Sequence, residues 1–537
     1  MTGRRLVRCS LALGALASLA GSLFTVSPAN AAPVPAVADD AAELTWGVCP
    51  GGLGVEFGLE CTTVTVPLDY SNPDGATIDI AVSRLASTNP AERRGVLLTN
   101  PGGPGGSGLS MPVDLVSLGM PTSVLDRYDV IGFDPRGIGY SAPVSCGFTV
   151  EQGYQTNIPP YASNDAEVAA QAAVAEGVAQ QCLEHDTEAT LRYMTTANTA
   201  RDMDLIRSAL GEEKISYFGV SYGTVLGSAY ASLFPNRTDR VVLDSNVGGT
   251  ALDVTAFRRF GLGAEQRFPD FAKYAAARHE TYELGRTPQA VRRGFFELVD
   301  RLDREPIQGV DGDLFRLTMF SALYADQSFP QLAQFWQALK RADAAAVRTM
   351  VEKKRLPRVP WLGAALAEPH PFDNTLSAQL AVICNDSAWP RDVADYQRNA
   401  KIDRARFPLF GGAAANIVPC AFWPEPLEPP VRISDKGPAN ILLVQNLRDP
   451  ATPYVGGVLL RKKFGKRARL VSVDQGGHGV YLFDDNPCGL NVTTRYLVDG
   501  RLPAKDVLCP ASAESGLRLS KEAAERREAT LERLRSF

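Results

Sequence analysis

The chain has 537 residues, 45% of them hydrophobic and 21% charged, with a formal net charge of −5. That length and balance suit one large globular domain carrying an insertion, or about two to three domains. The mild acidity, with no Lys/Arg-rich stripe, argues against a nucleic-acid partner.

The N-terminus reads as an export segment. Arg4, Arg5 and Arg8 form a basic start, residues 11–23 an Ala/Leu-rich apolar run, and Ala29-Asn30-Ala31 a small-residue cleavage site. Residues 1–31 are expected to be a signal peptide, leaving a secreted chain that begins near Ala32. The apolar run is too short for an anchor. No later stretch reaches the ~20 apolar residues of a bilayer span, so no stable membrane association is expected. Residues 32–44 read as a flexible leader or propeptide. Cys9 leaves with the signal. Eight cysteines remain, and an even number in an exported chain points to disulfides. Pairing neighbours is the simplest connectivity: Cys49 with Cys61, Cys146 with Cys182, Cys384 with Cys420, Cys488 with Cys509. No C-x-x-C or close Cys/His cluster suggests a metal site, and none is expected.

Residues 45–250 are expected to form the first part of an α/β core. Cys61 to Leu68 and Thr77 to Leu85 alternate with period two around the turn Ser71-Asn72-Pro73-Asp74-Gly75, as in an antiparallel hairpin at a sheet edge. Short apolar strands follow at 95–100, 128–134, 215–218 and 240–244. Between them lie a helical Ala/Glu/Gln-rich segment at 165–182 and an amphipathic helix at 196–210, stopped by Gly211. Apolar strands alternating with helices imply a parallel sheet covered on both faces. Strand character then fades, and 251–380 reads as a helical cap, with helical periodicity near 294–302, 314–324 and 331–345. Sheet character is expected to return at Ala381-Val382-Ile383-Cys384, then at 441–445, with 469–473 as the last strand of a C-terminal core part spanning 381–510. Residues 511–537 contain a highly charged helix, expected to be solvated and without function.

Gly219-Val220-Ser221-Tyr222-Gly223 lies between an apolar strand and a small-residue helix, the order of a nucleophile elbow in an α/β-hydrolase fold. The turn is sharp and strained, so a Cβ at either flanking glycine would crowd the backbone. A serine nucleophile needs a base near neutral pH, and histidine suits that. Of four histidines, His478 stands in the glycine-rich loop Gly476-Gly477-His478-Gly479 after a late strand. Asp449 follows the 441–445 strand and completes the order Ser221, Asp449, His478. Asp244, also at a strand end after the elbow, is the rival acid. An oxyanion hole needs two aimed N–H groups. Tyr222 supplies one, and the loop Pro101-Gly102-Gly103-Pro104-Gly105-Gly106 the other, through Gly103 because Pro104 has no N–H. That loop is not a phosphate loop, since it lacks the G-x-x-x-x-G-K-[ST] pattern.

Taken together, the loop from Pro101 to Gly106, the stretch Asp134-Pro135-Arg136-Gly137-Ile138-Gly139-Tyr140-Ser141 and the elbow through Thr224 resemble the proline iminopeptidase-related serine peptidases. Their secreted actinobacterial branch, the tripeptidyl aminopeptidases, is the most similar. The stretches around 446–452 and 476–479 resemble its TAP-like C-terminal region. The resemblance spans roughly residues 45–510. It implies an α/β-hydrolase core, a helical cap, no cofactor or metal, and release of short peptides from free N-termini. Pro101 stands where classical proline iminopeptidases carry histidine, which favours the tripeptidyl branch over strict proline specificity. Such an exopeptidase must bind a substrate ammonium, and Asp386 is a candidate through a charge-assisted hydrogen bond, with a turn residue as the alternative. Two rival functions share the same triad or fold: a secreted esterase or lipase, and a non-catalytic binding protein.

Overall fold

A computed structural model describes residues 44–154, 156–352, 372–512 and 521–534. The expected signal peptide and nearly all of the leader lie outside these. Ten strands form one sheet: β1 Gly47–Val48, β2 Glu60–Pro67, β3 Thr77–Leu85, β4 Gly95–Asn100, β5 Tyr128–Phe133, β6 Ile215–Val220, β7 Thr238–Asp244, β8 Ile441–Arg448, β9 Ala468–Gly476 and β10 Val507–Cys509. Their spatial order is β1-β2-β3-β5-β4-β6-β7-β8-β9-β10. The first three pairings are antiparallel, and every pairing from β5 to β10 is parallel.

The parallel strands are apolar runs because both faces are covered. Side chains alternate sides along a strand. Val96, Leu98, Ile131, Val241, Leu243, Ile441 and Leu443 enter one core. Leu97, Val130, Phe218, Val242, Leu442 and Val444 enter a second core on the opposite face.

The helices that position the site are α1 Met111–Ser117, α2 Asp165–His185, α3 Thr196–Ala209, α4 Tyr222–Leu233, α5 Val254–Ala277, α6 Pro288–Arg304, α7 Gly312–Ala322, α8 Phe329–Lys340, α9 Phe372–Asn385, α10 Val393–Arg406, α11 Val455–Phe464, α12 Pro487–Asp499 and α13 Lys521–Leu534. From α5 to α10 no named strand intervenes among the described residues. These helices share an aromatic interior. Phe295, Phe315 and Phe271 surround Trp336 at 5.5–5.8 Å, and Phe320 stacks on Phe410 at 4.2 Å. None of the described helices is long and apolar enough to cross a membrane.

Three expectations are corrected. Ala381 to Cys384 is not a strand but the last turn of α9, and the sheet resumes only at Ile441. The run is apolar because α9 is buried around its whole circumference, and four apolar residues cannot distinguish a buried helix from a buried strand. The strand at 469–473 is not the last one, because β10 pairs parallel with β9 at Val507–Cys509. Finally, the terminal helix α13 is not wholly solvated, since Arg527, Thr530, Leu531 and Leu534 are buried.

Four disulfides staple the described chain: Cys49–Cys61, Cys146–Cys182, Cys384–Cys420 and Cys488–Cys509. The third ties the end of α9 to the loop that follows the cap helices.

Candidate active site

Ser221 sits between β6 and α4 with φ 58° and ψ −121°, a left-handed conformation rare for a residue with a Cβ. Its neighbours must give way. A Cβ on Gly219 would lie 2.6 Å from the Gly223 carbonyl oxygen and from the Tyr217 ring. The turn is held by the Ser221 N–H, which donates to the Asp244 carbonyl at 2.9 Å, and by Thr224 Oγ1, which donates to the Ser221 carbonyl at 2.6 Å. Helix α4 begins at Tyr222, so the Tyr222 N–H has no acceptor within the helix and the helix dipole points at the same place.

The glycine loop after β4 closes over this turn. A Cβ on Gly102 would stand 2.6 Å from the Val220 carbonyl oxygen and 3.2 Å from Tyr222 N, so only glycine permits the approach. The Gly102 N–H donates to Asn100 Oδ1 at 3.0 Å, and Gly103 is the next amide along. Asp134 anchors the far end of the loop. One of its oxygens accepts from Ser107 Oγ at 2.5 Å and from the amides of Gly108 and Leu109, and the other accepts the Tyr140 amide at 2.9 Å. Two residues on, Arg136 is fully buried and makes a bidentate pair with Asp202 at 2.7 and 2.6 Å. The stretch from Asp134 to Ser141 is therefore a brace for the glycine loop.

Asp449 is completely buried. Oδ1 accepts the amides of Ala451 and Thr452, Oδ2 accepts from Thr452 Oγ1 at 2.8 Å, and His478 Nδ1 lies 3.1 Å from Oδ1 and 2.9 Å from Oδ2. Both carboxylate oxygens are thus engaged by side-chain and backbone partners. The His478 amide donates to the Tyr324 carbonyl at 2.9 Å, and the Tyr324 ring meets the imidazole edge-on at 5.0 Å. A cap residue thus touches the histidine directly.

Ser221, Tyr222, Gly103, Thr452 and His478 line one cavity. Its other walls are mostly apolar, including Phe257 and Phe260 from α5, Ile383 from α9 and Phe483. Asn157 and Gln379 add an amide pair, with Asn157 Nδ2 donating to Gln379 Oε1 at 2.6 Å. The predicted serine, histidine, aspartate and both oxyanion residues are therefore brought together. Asp386 is not. It is buried away from the cavity wall at the end of α9, where it accepts the Thr196 amide at 2.7 Å and Thr196 Oγ1 at 2.5 Å. Thr196 Oγ1 also meets the Tyr222 hydroxyl at 2.6 Å. Burial pushes the Asp386 carboxyl up to about 7. In this position Asp386 fastens α3 to α9, and a substrate ammonium would have to displace Thr196 to reach it. Asp244, the rival acid, faces the backbone beyond His478 rather than the imidazole Nδ1.

Thr452, Tyr324, Asn157 and Gln379 were not singled out from the sequence. For Thr452 a signal existed: a hydroxyl residue three positions after an aspartate is the spacing of a local side-chain-to-backbone turn. For Tyr324 and the amide pair no local pattern points to the site, because tertiary packing alone brings them there.

Residues 407–509 match the TAP-like protein family. The chain is 35% identical over 493 residues to a tripeptidyl aminopeptidase of Streptomyces lividans, covering 90% of each chain. It is 29% identical over 475 residues to the serine protease Hip1 of Mycobacterium tuberculosis, covering 84% of this chain and 87% of that one. It is also 30% identical over 463 residues to a protein named carboxylesterase B of the same organism, covering 84% and 86%. The chain is a serine peptidase with an α/β-hydrolase fold, and it belongs to the tripeptidyl aminopeptidase family.

Proposed function

We propose that the protein is an exported aminopeptidase that releases tripeptides from free N-termini through an acyl-enzyme on Ser221. The observation that carries the reading is the paired contact between His478 Nδ1 and the buried Asp449, on the wall of the cavity that also holds the strained Ser221. In this cycle Ser221 Oγ attacks the scissile carbonyl and His478 Nε2 takes its proton, while Asp449 holds the Nδ1–H and stabilises the imidazolium. The amides of Gly103 and Tyr222 receive the oxyanion. The C–N bond then breaks, and His478 returns the proton to the departing amine. A water, deprotonated by the same histidine, hydrolyses the ester.

Export is supported by the basic and apolar N-terminal pattern and by four disulfides, which persist in oxidising compartments. Product length rests on the relatives named tripeptidyl aminopeptidase. The relative named carboxylesterase B keeps ester cleavage as the second reading. One digest separates them: free and N-acetylated forms of one peptide are incubated with the enzyme and the fragments weighed. Tripeptides from the free form alone support the proposal. Equal cleavage of both forms, or turnover of esters only, overturns it.

A further inference from the structure

One residue touches both halves of the catalytic constellation without belonging to it. Asp244 ends β7, between the strand that leads to Ser221 and the strand that leads to Asp449. Its carbonyl accepts the Ser221 N–H at 2.9 Å, fixing the nucleophile's own backbone. Its carboxylate reaches in the other direction, to the loop after His478. The Val480 amide donates to Oδ1 at 3.0 Å and to Oδ2 at 3.1 Å, and the Tyr481 amide donates to Oδ2 at 2.6 Å. Ser245 extends the same grip, because its Oγ donates to Asp244 Oδ1 at 3.0 Å and accepts the Gly479 amide at 2.9 Å. Three successive amides after the histidine are thus held by two adjacent residues at the end of the strand beside the elbow.

The chemistry of that grip is specific to a carboxylate. All the side-chain contacts are donors pointing at Asp244, and an ionised carboxylate is acceptor-only. Asp244 is fully buried. Burial is the main force on its acidity, raising it to about 7, and the two amides and the Ser245 hydroxyl work against that rise. A charge held in so dry a place for packing alone would be replaced at little cost by an apolar residue. Here its removal would leave the loop amides without their acceptor.

We propose that Asp244 is a positioning residue that sets the separation of Ser221 from His478, holding the nucleophile through its backbone and the base through its side chain. The inference rests on the reading of Ser221 and His478 as nucleophile and base. A small drift of the loop is enough to matter, since a misplacement of about 1 Å costs on the order of a hundredfold in rate.

The test uses the full-length enzyme, a fluorophosphonate probe for Ser221 and a free peptide substrate. Asp244→Asn keeps size and polarity but turns one acceptor oxygen into a donor that faces loop amides. In the folded variant, kcat is expected to fall on the order of a hundredfold and the labelling rate to fall in parallel, with KM held within about twofold. Ser245→Ala, which keeps the Asp244 carboxylate and its two amide donors but deletes the hydroxyl that donates to Asp244 Oδ1 and accepts the Gly479 amide, is expected to lower kcat and labelling about tenfold with KM again unmoved. A purely structural role would lower the melting temperature and leave the labelling rate of the folded fraction unchanged, and that result overturns the proposal. A loss carried by KM overturns it as well. Should Asp244→Asn not fold, Ser245→Ala decides alone, and unchanged kcat and labelling there overturn the proposal. Wild-type enzyme that the probe does not label overturns the prior reading of Ser221. A labelled wild type with unaffected variants overturns only the role of Asp244.

Discussion

His478 Nδ1 lies 2.9 Å from Asp449 Oδ2, while the other strand-end aspartate, Asp244, spends its carboxylate on the Val480 and Tyr481 amides. The two acids therefore differ in what they can do for the imidazole. In the proposed cycle Asp449 holds the tautomer that leaves Nε2 free to accept a proton. Asp449→Asn offers an NH2 group or a weaker acceptor in its place, and kcat is expected to fall roughly 10³–10⁴-fold with little change in KM. Steady-state kinetics on one peptide substrate check this.

Thr452 braces Asp449 from two sides. Its amide donates to Oδ1 at 2.8 Å and its hydroxyl to Oδ2 at 2.8 Å, and that hydroxyl lies 3.4 Å from His478 Nδ1. Thr452→Val keeps the shape and the amide but deletes the hydroxyl donor. A drop of about tenfold in kcat is expected, since a hydrogen bond to a charged group contributes about 1.5–3 kcal/mol. Thr452→Ser restores the donor and should recover most of the rate. Equal losses in both variants would point to packing instead.

Ser221, Asp449 and His478 could be picked out of the chain as candidates, and the structure brings them together, because each sits in a short local pattern: the elbow around Ser221, the turn after β8 at Asp449, and the glycine loop at His478. Glycine at 102 and 219 was legible for the same reason, since close backbone approach leaves a mark in the sequence. The boundary of the cap was not. Ala381 to Cys384 is equally apolar as a strand or as the end of a buried helix, and Asp386, the candidate for the substrate ammonium just after it, instead ties α3 to α9. Strand β10 is three residues long, too short for any periodicity. In α13 the charges dominate the composition, yet Leu531 and Leu534 fall on one face and are buried.

Asp484 gives a pH-dependent prediction. Burial pushes its carboxyl up to about 8 and Asp244 adds to the rise, while the Asn486 amide and the Asn446 side chain work against it. A carboxyl raised on folding stabilises the native state least where the unfolded chain is ionised and the folded one resists ionisation. Its contribution is intact below the unfolded pKa near 3.8 and is lost as pH rises toward about 8. Asp484→Asn cannot ionise. It is expected to be more stable than wild type by a few kcal/mol at pH 8 and above, with the difference shrinking toward pH 4. Denaturant unfolding at several pH values measures it, and a pH-independent difference would contradict the assignment.

The disulfide Cys384–Cys420 closes a loop with a sequence separation of 36, and Cys384 follows directly on Ile383 of the cavity wall. On the chain-entropy account such a bridge contributes about 4 kcal/mol. A Cys384→Ser and Cys420→Ser double variant is expected to lose stability on that scale in denaturant unfolding. The loss should extend to activity at elevated temperature, because α9 carries both Gln379 and Ile383 into the cavity.

Leu534 brings the C-terminal helix into the site. It lines the cavity together with Phe483, close in sequence to His478 and far from Leu534 itself. The helix is clamped there by charge: Arg533 pairs with Asp114 of α1, Arg527 pairs with Asp485 at 2.8 Å, and Arg527 Nη2 donates to the Leu482 carbonyl at 3.0 Å. Leu531 and Leu534 pack into the same core as Met111, Tyr481 and Leu482. Charge on the outer face keeps the helix in water, while Leu534 closes one wall of the cavity. Leu534→Ala trims that wall back to a methyl group. The ratio of kcat/KM for peptides with a bulky residue at the cleavage site over those with a small one is expected to rise on the order of tenfold or more, since a hydrophobic pocket discriminates a methylene by about 1–3 kcal/mol. Arg533→Ala weakens the clamp and should move the ratio in the same direction by less. Competition between two such peptides in one reaction, read by mass spectrometry, gives the ratio directly, and an unchanged ratio in Leu534→Ala would place that wall outside the reach of the substrate.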